Sequence, residues 1–507
     1  MDALRRVPGL SDEGDHVTAQ ATLGTEAPAA DRAAPRETKP RRWPMHAAAG
    51  ALFLALALLV MGNYLPAPNE RISDHLANDN AWFQWLLSHA VHSVTHLENP
   101  LFSTRQNFPD GVNMMANTSV LGVTIPMVPV TMLVGPRVAY VIWMVLALAG
   151  SAFAAYYALQ RWVVRSRVAA LLGGAFFGFA PGFVHHANGQ PNFASNFVLP
   201  FIAVAVFRLG ITGRWLRDGV ILGLLVTYQV FINEETLVVA AAALVVAVLA
   251  YAALRPRFAW KRAPAFLLGS AVTAVLAGAL LAYPLWFQFL GPQTFEALPL
   301  YHSWGEDLGT YLYFSRDTIF GDPIVEETMG YPEQNSWFGW PLTLVVLSAI
   351  VIMLWRSVAV RVAAVVGVVF AVLSMGPKIR WMGEFTEVPG PWHYIPDDLP
   401  VLGLLMPGRL TFAVVGVFAL MIALAYDAVA RVRLRRHWWS RGASVLAAAA
   451  IVAALVPLIP RPLPVRPEPL PPAFLTSGTW KQYVPEGRSL IPLPLPNRWS
   501  GVETLGW

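Results

Sequence analysis

Basic residues cluster in every second connection between the long hydrophobic stretches of this chain, and this alternation constrains the fold more than any other feature. Seventeen of them mark these connections: Arg161, Arg165, Arg167, Arg208, Arg214, Arg217, Arg255, Arg257, Lys261, Arg262, Arg356, Arg361, Arg431, Arg433, Arg435, Arg436 and Arg441. The intervening connections carry acidic residues, from Asp74 to Asp110, from Glu296 to Glu333 and from Glu384 to Asp398. Because cytoplasmic loops of membrane proteins are enriched in Lys and Arg, the pattern predicts a multi-pass membrane protein whose acidic loops face outward.

The composition agrees with this prediction and narrows the possible chemistry. Of the 507 residues, 56% are hydrophobic and 13% are charged, which is far from the composition of soluble domains. The net charge of +5 does not point to a nucleic-acid partner, because most of the basic residues lie beside predicted helix ends. The absence of Cys excludes disulfides, thiolate nucleophiles and thiolate metal ligands.

About 11 stretches approach the ~20 apolar residues that are needed to cross ~30 Å of hydrocarbon. They lie near residues 45–64, 138–160, 168–184, 194–209, 218–233, 236–254, 265–290, 338–355, 360–376, 409–430 and 443–460. We therefore predict an all-α polytopic protein of the cell (plasma) membrane, with a cytoplasmic N-terminus and an extracytoplasmic C-terminus. Its regions would be a disordered tail (1–43), a transmembrane domain (44–460) and a small outer C-terminal segment (461–507), with short strands after the Pro-rich run Pro460–Pro472.

The apolar stretch from Val120 to Val134 resembles a further span, but counting it would place the Arg161–Arg167 turn outside. We interpret it as a re-entrant or interfacial segment that is broken by Pro126 and Pro129.

The long first outer loop, Leu65 to Asn117, contains an amphipathic pattern that predicts an interfacial helix beginning near Asp79. Its two faces are Trp82, Leu86, Ala90 and Val94 on one side, and Trp85, His89, His92 and His96 on the other. The three imidazoles have spacings of three and four residues that suit a metal face, although an ordinary polar face is the alternative because no carboxylate shares it.

The order of these features, together with several short motifs, resembles the GT-C superfamily of integral-membrane glycosyltransferases. The motifs are Asn99-Pro100-Leu101, Phe108-Pro109-Asp110-Gly111-Val112-Asn113, Gly178-Phe179-Ala180-Pro181 and Met406-Pro407-Gly408-Arg409, which are similar to those of a bacterial branch. The resemblance covers about residues 45 to 430. It implies a sugar donor carried on a polyprenyl phosphate.

In that superfamily, an Asp of the first outer loop acts on the acceptor hydroxyl, sometimes with a divalent cation. The resemblance gives this role to Asp79, with Asp74 as the neighbour that replaces or assists it. Asn78 and Asn80 flank Asp79, so an Asp-x-Asp signature is absent and the use of a cation stays open. A purely structural alternative is that Asp79 or Asn80 caps the N-terminus of the helix.

Further polar residues near the predicted outer ends of the spans are candidates for binding. Arg409, Arg380 and Lys378 are cations on an acidic face and suit the donor phosphate; for Arg409 the alternative is an Arg that snorkels from a helix end. His185, His186 and Gln190 suit a sugar or acceptor, and a solvated loop is the alternative. Glu234 and Glu235 either line the same cavity or are solvated loop charges.

With the roles that the GT-C resemblance implies, these residues predict a glycosyltransferase that moves a hexosyl or pentosyl group from a polyprenyl-phosphate-linked sugar to an extracytoplasmic glycan, lipid or protein of the cell envelope. The alternatives are a transporter or flippase for a lipid or polar solute, and a GT-C-like scaffold without catalysis. The central parts of the spans carry almost no charge and no internal repeat is visible, which favours the transferase over a transporter.

Overall fold

A computed structural model describes residues 43–116, 118–294, 303–321, 323–329, 333–396, 405–433, 438–468, 471–485 and 488–491. The predicted disordered tail, apart from residue 43, lies outside these residues, as do Glu296, Asp397 and Asp398 of the outer loops.

The described chain is mostly helical, as predicted. The helices of the first half are α1 (Trp43–Val60), α2 (Ala77–His96), α3 (Leu121–Thr124), α4 (Val128–Ala158), α5 (Arg167–Gly178), α6 (Pro181–His186), α7 (Pro191–Ala194), α8 (Leu199–Ile211) and α9 (Trp215–Val230). Those of the second half are α10 (Glu234–Leu254), α11 (Pro256–Leu290), α12 (Pro323–Met329), α13 (Gly339–Met353), α14 (Val358–Leu373), α15 (Thr411–Arg433), α16 (Trp438–Leu455) and α17 (Ala473–Thr476).

Each predicted span coincides with one or more helices. Within the part of the chain that the structure describes, five helical stretches are long and apolar enough to cross a membrane: Val128–Val163, Glu234–Leu254, Pro256–Leu290, Pro407–Val432 and Arg441–Leu458. Shorter apolar helices occupy five other predicted spans, and the total of about 11 stays a prediction. The predicted span 168–184 consists of two helices, α5 and α6, because Pro181 begins a new helix. At the first position of a helix, the N–H that Pro lacks would have no partner within the helix.

Among the described residues, the packing produces two large apolar cores, and α5 contacts helices of both. One core packs α1 and α2 against α4, and the other packs α13 and α14 against α15. Helix α5 contacts both α4 and α15. In contrast, α10 and α11 leave large side chains such as Leu249 and Val275 exposed, as expected for surfaces that face lipid.

The stretch from Val120 to Val134 is not a continuous span. It forms the four-residue helix α3, a turn, and the beginning of α4. Pro126 lies in that turn, whereas Pro129 is accommodated in the first turn of α4 and does not break the segment as predicted. A further break occurs at Gly135, whose φ of 81° is open to Gly but strained for other residues.

In the described residues, three small antiparallel sheets connect the loops. Their strands are β1 (Arg71–Ser73), β2 (Phe102–Ser103), β3 (Val112–Asn113), β4 (Lys378–Trp381), β5 (Glu384–Pro389) and β6 (Val465–Pro467). Strand β6 pairs with β1 of the first loop, with Ile72 opposite Arg466. Short strands were predicted after the Pro-rich run, but β6 lies within the run. The described residues after it form short helical turns and irregular backbone, and residues 492–507 lie outside the described residues.

Candidate active site

Five segments that are distant in the sequence meet in one polar cluster. They are the start of α2, the turn between α6 and α7, the start of α10, residues 333–336, and the helical turn Pro407–Leu410 before α15. Two glycines allow the close approach. A Cβ at Gly189 would lie 2.5 Å from the Leu76 carbonyl oxygen, and one at Gly182 would lie 2.4 Å from that of Asn335. Without side chains at these positions, the backbones come within reach of each other.

Asp79 lies in the first turn of α2, and its side chain is partly exposed. The N-cap of this helix is Leu76, so the capping alternative is wrong for Asp79 and also for Asn80. The Gln190 side-chain amide donates from Nε2 to Oδ2 of Asp79 at 2.5 Å. Burial raises the pKa of Asp79 above its ordinary value. Asp79 is therefore a reachable carboxylate with increased proton affinity, as general-base catalysis requires.

His186 follows Gln190 in the same network and is fully buried. Its Nδ1 lies 2.5 Å from Oε1 of Gln190, and its Nε2 lies 2.8 Å from Oδ1 of Asn335. The Glu333 carboxylate is 3.8 Å from Nε2. Burial lowers the pKa of His186 to about 4, against the opposing effect of Glu333. Two of the predicted binding residues, Gln190 and His186, thus connect Asp79 to a buried charged group.

That charged group is centred on Arg409, which is only 8% exposed. Its Nε and Nη2 donate to the two oxygens of Glu333 at 2.9 and 2.7 Å, and its Nη1 donates to Glu235. The guanidinium also lies 4.3 Å over the Phe193 ring. Although burial raises the pKa of Glu333, the nearby Arg409 and His186 lower it below its ordinary value. Arg409 is thus not a snorkelling helix-end residue, because all three nitrogens of its guanidinium are bound.

The two adjacent glutamates at the start of α10 have separate partners. Glu235 bonds Arg409 and also accepts a hydrogen bond from the Met406 backbone N–H. Glu234 accepts a hydrogen bond from Gln288 of α11 at 2.7 Å. Glu235 is therefore a member of the cluster and not a solvated loop charge.

The predicted cations of β4 lie in other surroundings. Lys378 is exposed and pairs in register with Pro389 of β5. Arg380 is 2% exposed, with its guanidinium 4.3 Å over the Phe385 ring, and its strand bridges to Asp307. The structure therefore separates the environments of these cations from that of Arg409.

The described contacts of Asp74 and His185 lie outside the Asp79 network. Asp74 is exposed, and its backbone N–H donates to the Pro464 carbonyl. His185 Nδ1 lies 3.4 Å from the buried Asp317, which also accepts a hydrogen bond from Asn188. Unlike His186, His185 is therefore oriented toward a carboxylate outside the Asp79 network.

Sequence reasoning missed Glu333, Asn335 and the buried Glu306, which holds their segment in place. Glu306 accepts from the Asn335 backbone N–H at 2.5 Å and from the hydroxyls of Ser336 and Thr310 at 2.9 and 3.0 Å. Burial raises its pKa to about 7. The available signal was the polar run Glu333-Gln334-Asn335-Ser336 directly before the apolar residues of α13.

The residues around Asp79 do not fit a divalent cation. The group that contacts its carboxylate is the Gln190 NH₂ donor, whereas Ca²⁺ and Mg²⁺ require several oxygen ligands. Among the residues that the structure describes, no three His, Asp or Glu side chains are grouped as metal ligands. In particular, His89 stacks on Trp85 and bonds the Pro100 carbonyl, while His92 pairs with Glu98.

Comparison with known proteins gives structural neighbours only. The sequence matches no protein-family model and no curated protein. Two similar solved structures are the Archaeoglobus fulgidus oligosaccharyltransferase in the apo form, and the oligosaccharyltransferase AglB of the same organism with an inhibitory peptide and a dolichol-phosphate. The first is 12% identical with a TM-score of 0.47, covering 90% of this chain and 61% of its own. The second is 13% identical with a TM-score of 0.47, covering 90% and 60%.

These neighbours are membrane glycosyltransferases of the GT-C superfamily. The present chain spans about three fifths of their length.

Proposed function

We propose that the protein is a membrane glycosyltransferase that transfers a sugar from a polyprenyl-phosphate donor to an acceptor at the outer face of the cell membrane. The observation that carries the proposal is Asp79 of the first loop, a partly exposed carboxylate with a raised pKa that accepts a hydrogen bond from Gln190. The resemblance of that loop to the GT-C pattern supports the same role.

The reaction is a single displacement with inversion. The acceptor O–H proton passes to the Asp79 carboxylate while the acceptor oxygen bonds the anomeric carbon. The bond between that carbon and the phosphate oxygen breaks, and polyprenyl phosphate leaves with the bonding electrons. General-base assistance of this kind contributes typically ~10²–10⁴-fold.

Arg409 is the proposed ligand of the donor phosphate, with one condition set by its partners. Arg409, Glu235 and Glu333 together carry one net negative charge when all three are ionised, and this charge repels a phosphate. The phosphate therefore takes the Nη1 position by displacing Glu235, while Glu333 keeps its two bonds. Lys378, as the more exposed cation, and Arg380 are the alternative ligands.

The acceptor is a glycan, lipid or protein of the cell envelope, and the transferred group is a hexosyl or pentosyl unit. Of the predicted sugar or acceptor ligands, His186 and Gln190 have both of their polar side-chain atoms engaged in the network. Direct contact with a sugar is therefore assigned to Asp79, with His185 beside the cluster and the exposed Asp74 as the carboxylate that replaces or assists Asp79.

The test uses protein purified into nanodiscs with a panel of radiolabelled polyprenyl-phosphate sugars. Wild type is compared with Asp79→Asn, Asp74→Asn and the matched control Asp110→Asn, which alters an exposed carboxylate of the same loop. We expect turnover of one donor, unchanged in Asp110→Asn and reduced ~10²–10⁴-fold in Asp79→Asn. Loss in Asp74→Asn alone would move the base to Asp74. If wild type neither binds nor consumes any donor, the transferase proposal fails in favour of transport or a scaffold.

A further inference from the structure

Both ring nitrogens of His186 face side-chain amide oxygens, and the orientation of each amide is fixed by a hydrogen bond that its NH₂ group donates elsewhere. The Gln190 oxygen lies at Nδ1 because the Gln190 NH₂ group donates to Asp79. The Asn335 oxygen lies at Nε2 because the Asn335 NH₂ group donates to the Glu333 carbonyl at 2.7 Å. A neutral imidazole carries only one N–H, so its other nitrogen would direct a lone pair at an oxygen. This arrangement suits the doubly protonated ring.

The charges around His186 favour the same state. Three carboxylates face the cluster: Asp79 from α2, Glu235 from α10 and Glu333 from the 333–336 segment. Arg409 compensates one of them. The neighbouring His185 pairs with Asp317 outside the cluster. With a neutral His186, two negative charges would remain in a buried site, and this is unfavourable at low dielectric.

A second arrangement has the same total charge and equivalent hydrogen bonds. If Asp79 is protonated and His186 is neutral, rotation of the Gln190 amide turns its oxygen to the Asp79 O–H and its NH₂ to Nδ1. Nε2–H still donates to Asn335. Only the location of one proton and the orientation of one amide differ between the two arrangements.

We propose that Asp79 and His186 share a single proton, and that the Gln190 amide couples them, which makes His186 a positioning residue for the catalytic base. Burial moves the two pKa values toward each other, upward for Asp79 and downward to about 4 for His186. The preference of the proton for His186 over Asp79 is therefore smaller in the protein than the preference for an imidazole over a carboxylate in water.

The catalytic consequence rests on the proposed function. Asp79 accepts the acceptor proton only when it is ionised, and ionised Asp79 is paired with cationic His186 and with the Gln190 NH₂ donor. His186 thereby determines the fraction of protein that is ready to react, without touching substrate.

The test reads protonation directly and needs no donor, so it is independent of whether transfer occurs. Infrared difference spectroscopy of protein in nanodiscs follows the carboxylic-acid C=O band against pH, and Asp79→Asn identifies the band of Asp79. We expect His186→Gln to raise the apparent pKa of Asp79 by about one unit, a tenfold change, because a cation is lost. His185→Gln is the matched control and should leave it unchanged. An unchanged Asp79 titration in His186→Gln would overturn the proposal.

Two further arms separate coupling from a loss of structure. By linkage, Asp79→Asn must lower the pKa of His186 by the same amount, as followed by NMR of ¹⁵N-labelled histidine. In a Gln190→Leu background, His186→Gln should shift the apparent pKa of Asp79 less than it does in the wild-type background. Unequal pKa shifts of Asp79 and His186 would contradict the coupling between them. An equal Asp79 shift with and without Gln190 would contradict coupling through Gln190. Coupling without any donor turnover would refute the proposed function and leave the shared proton standing.

Discussion

Glu333 receives two parallel hydrogen bonds from Arg409, with Nε 2.9 Å from Oε2 and Nη2 2.7 Å from Oε1. Both side chains are largely buried, and Nη1 of the same guanidinium reaches Glu235 of α10. One side chain therefore fixes the 333–336 segment, the start of α10 and the start of α15 relative to each other.

Neutralising Glu333 should destabilise the protein. In Glu333→Gln, Arg409 loses its bidentate partner while remaining buried, and breaking such a pair is worth ~3–5 kcal/mol. Thermal unfolding in one detergent, followed by Trp fluorescence, measures the effect. Glu384→Gln removes an exposed carboxylate and should change the melting temperature little. Equal melting temperatures of the two variants would show that the Arg409–Glu333 pair contributes nothing to the stability of the protein.

Replacing Glu235 should strengthen donor binding if Arg409 holds the phosphate. Glu235→Gln removes one negative charge and weakens the competitor for Nη1, so we expect Kd for polyprenyl phosphate to fall roughly tenfold, about 1.4 kcal/mol. The control is Glu234→Gln, whose side chain bonds Gln288 instead. A Kd that rises or stays constant in Glu235→Gln would assign the phosphate to Lys378 or Arg380.

The helices were predictable from the sequence because an apolar stretch of membrane length and its flanking charges are local features. Helices α10 and α11, for example, begin within about ten residues of the predicted spans 236–254 and 265–290. Several site residues were also identified from their type and location, including Asp79, His186 and Gln190, although their roles stay predictions.

Their partners were not predictable, because the contacts join loops far apart in the chain. Gln190 lies 111 residues from Asp79, Asn335 lies 149 residues from His186, and Glu235 lies 174 residues from Arg409. No periodicity specifies which loop folds over which. For the same reason, Arg409 was grouped with its sequence neighbours Lys378 and Arg380, whereas the structure surrounds it with carboxylates.

Glu306 should make stability depend on pH. The folded protein holds its proton up to a pKa of about 7, above the ordinary value of 4.5. The resulting stabilisation is fully present below about 4.5 and is lost as the pH rises through 7, a change of roughly 3 kcal/mol.

The measurement compares melting temperature against pH for wild type and Glu306→Gln. The difference between the two curves should change in favour of the variant as the pH rises from 5 to 8, because the variant has no proton to lose. Glu387→Gln, an exposed change on β5, should give a curve parallel to wild type. Parallel curves for Glu306→Gln as well would show that Glu306 does not titrate in this range.

Adding a methyl group at Gly182 should disturb the cluster from outside. The new Cβ would lie 2.4 Å from the Asn335 carbonyl oxygen, which is backbone and has little freedom to move. Gly182→Ala should therefore displace the 333–336 segment from α6, lengthen the contact between His186 and Asn335, and cost about 1–3 kcal/mol. Gly278→Ala is the matched helical control, since nothing lies within 4 Å of its Cβ position. We expect that control to be neutral or stabilising by roughly 0.5–1 kcal/mol, as for Ala in a helix interior. If both variants melt together and turn over donor equally, close packing at Gly182 is not a condition for the site.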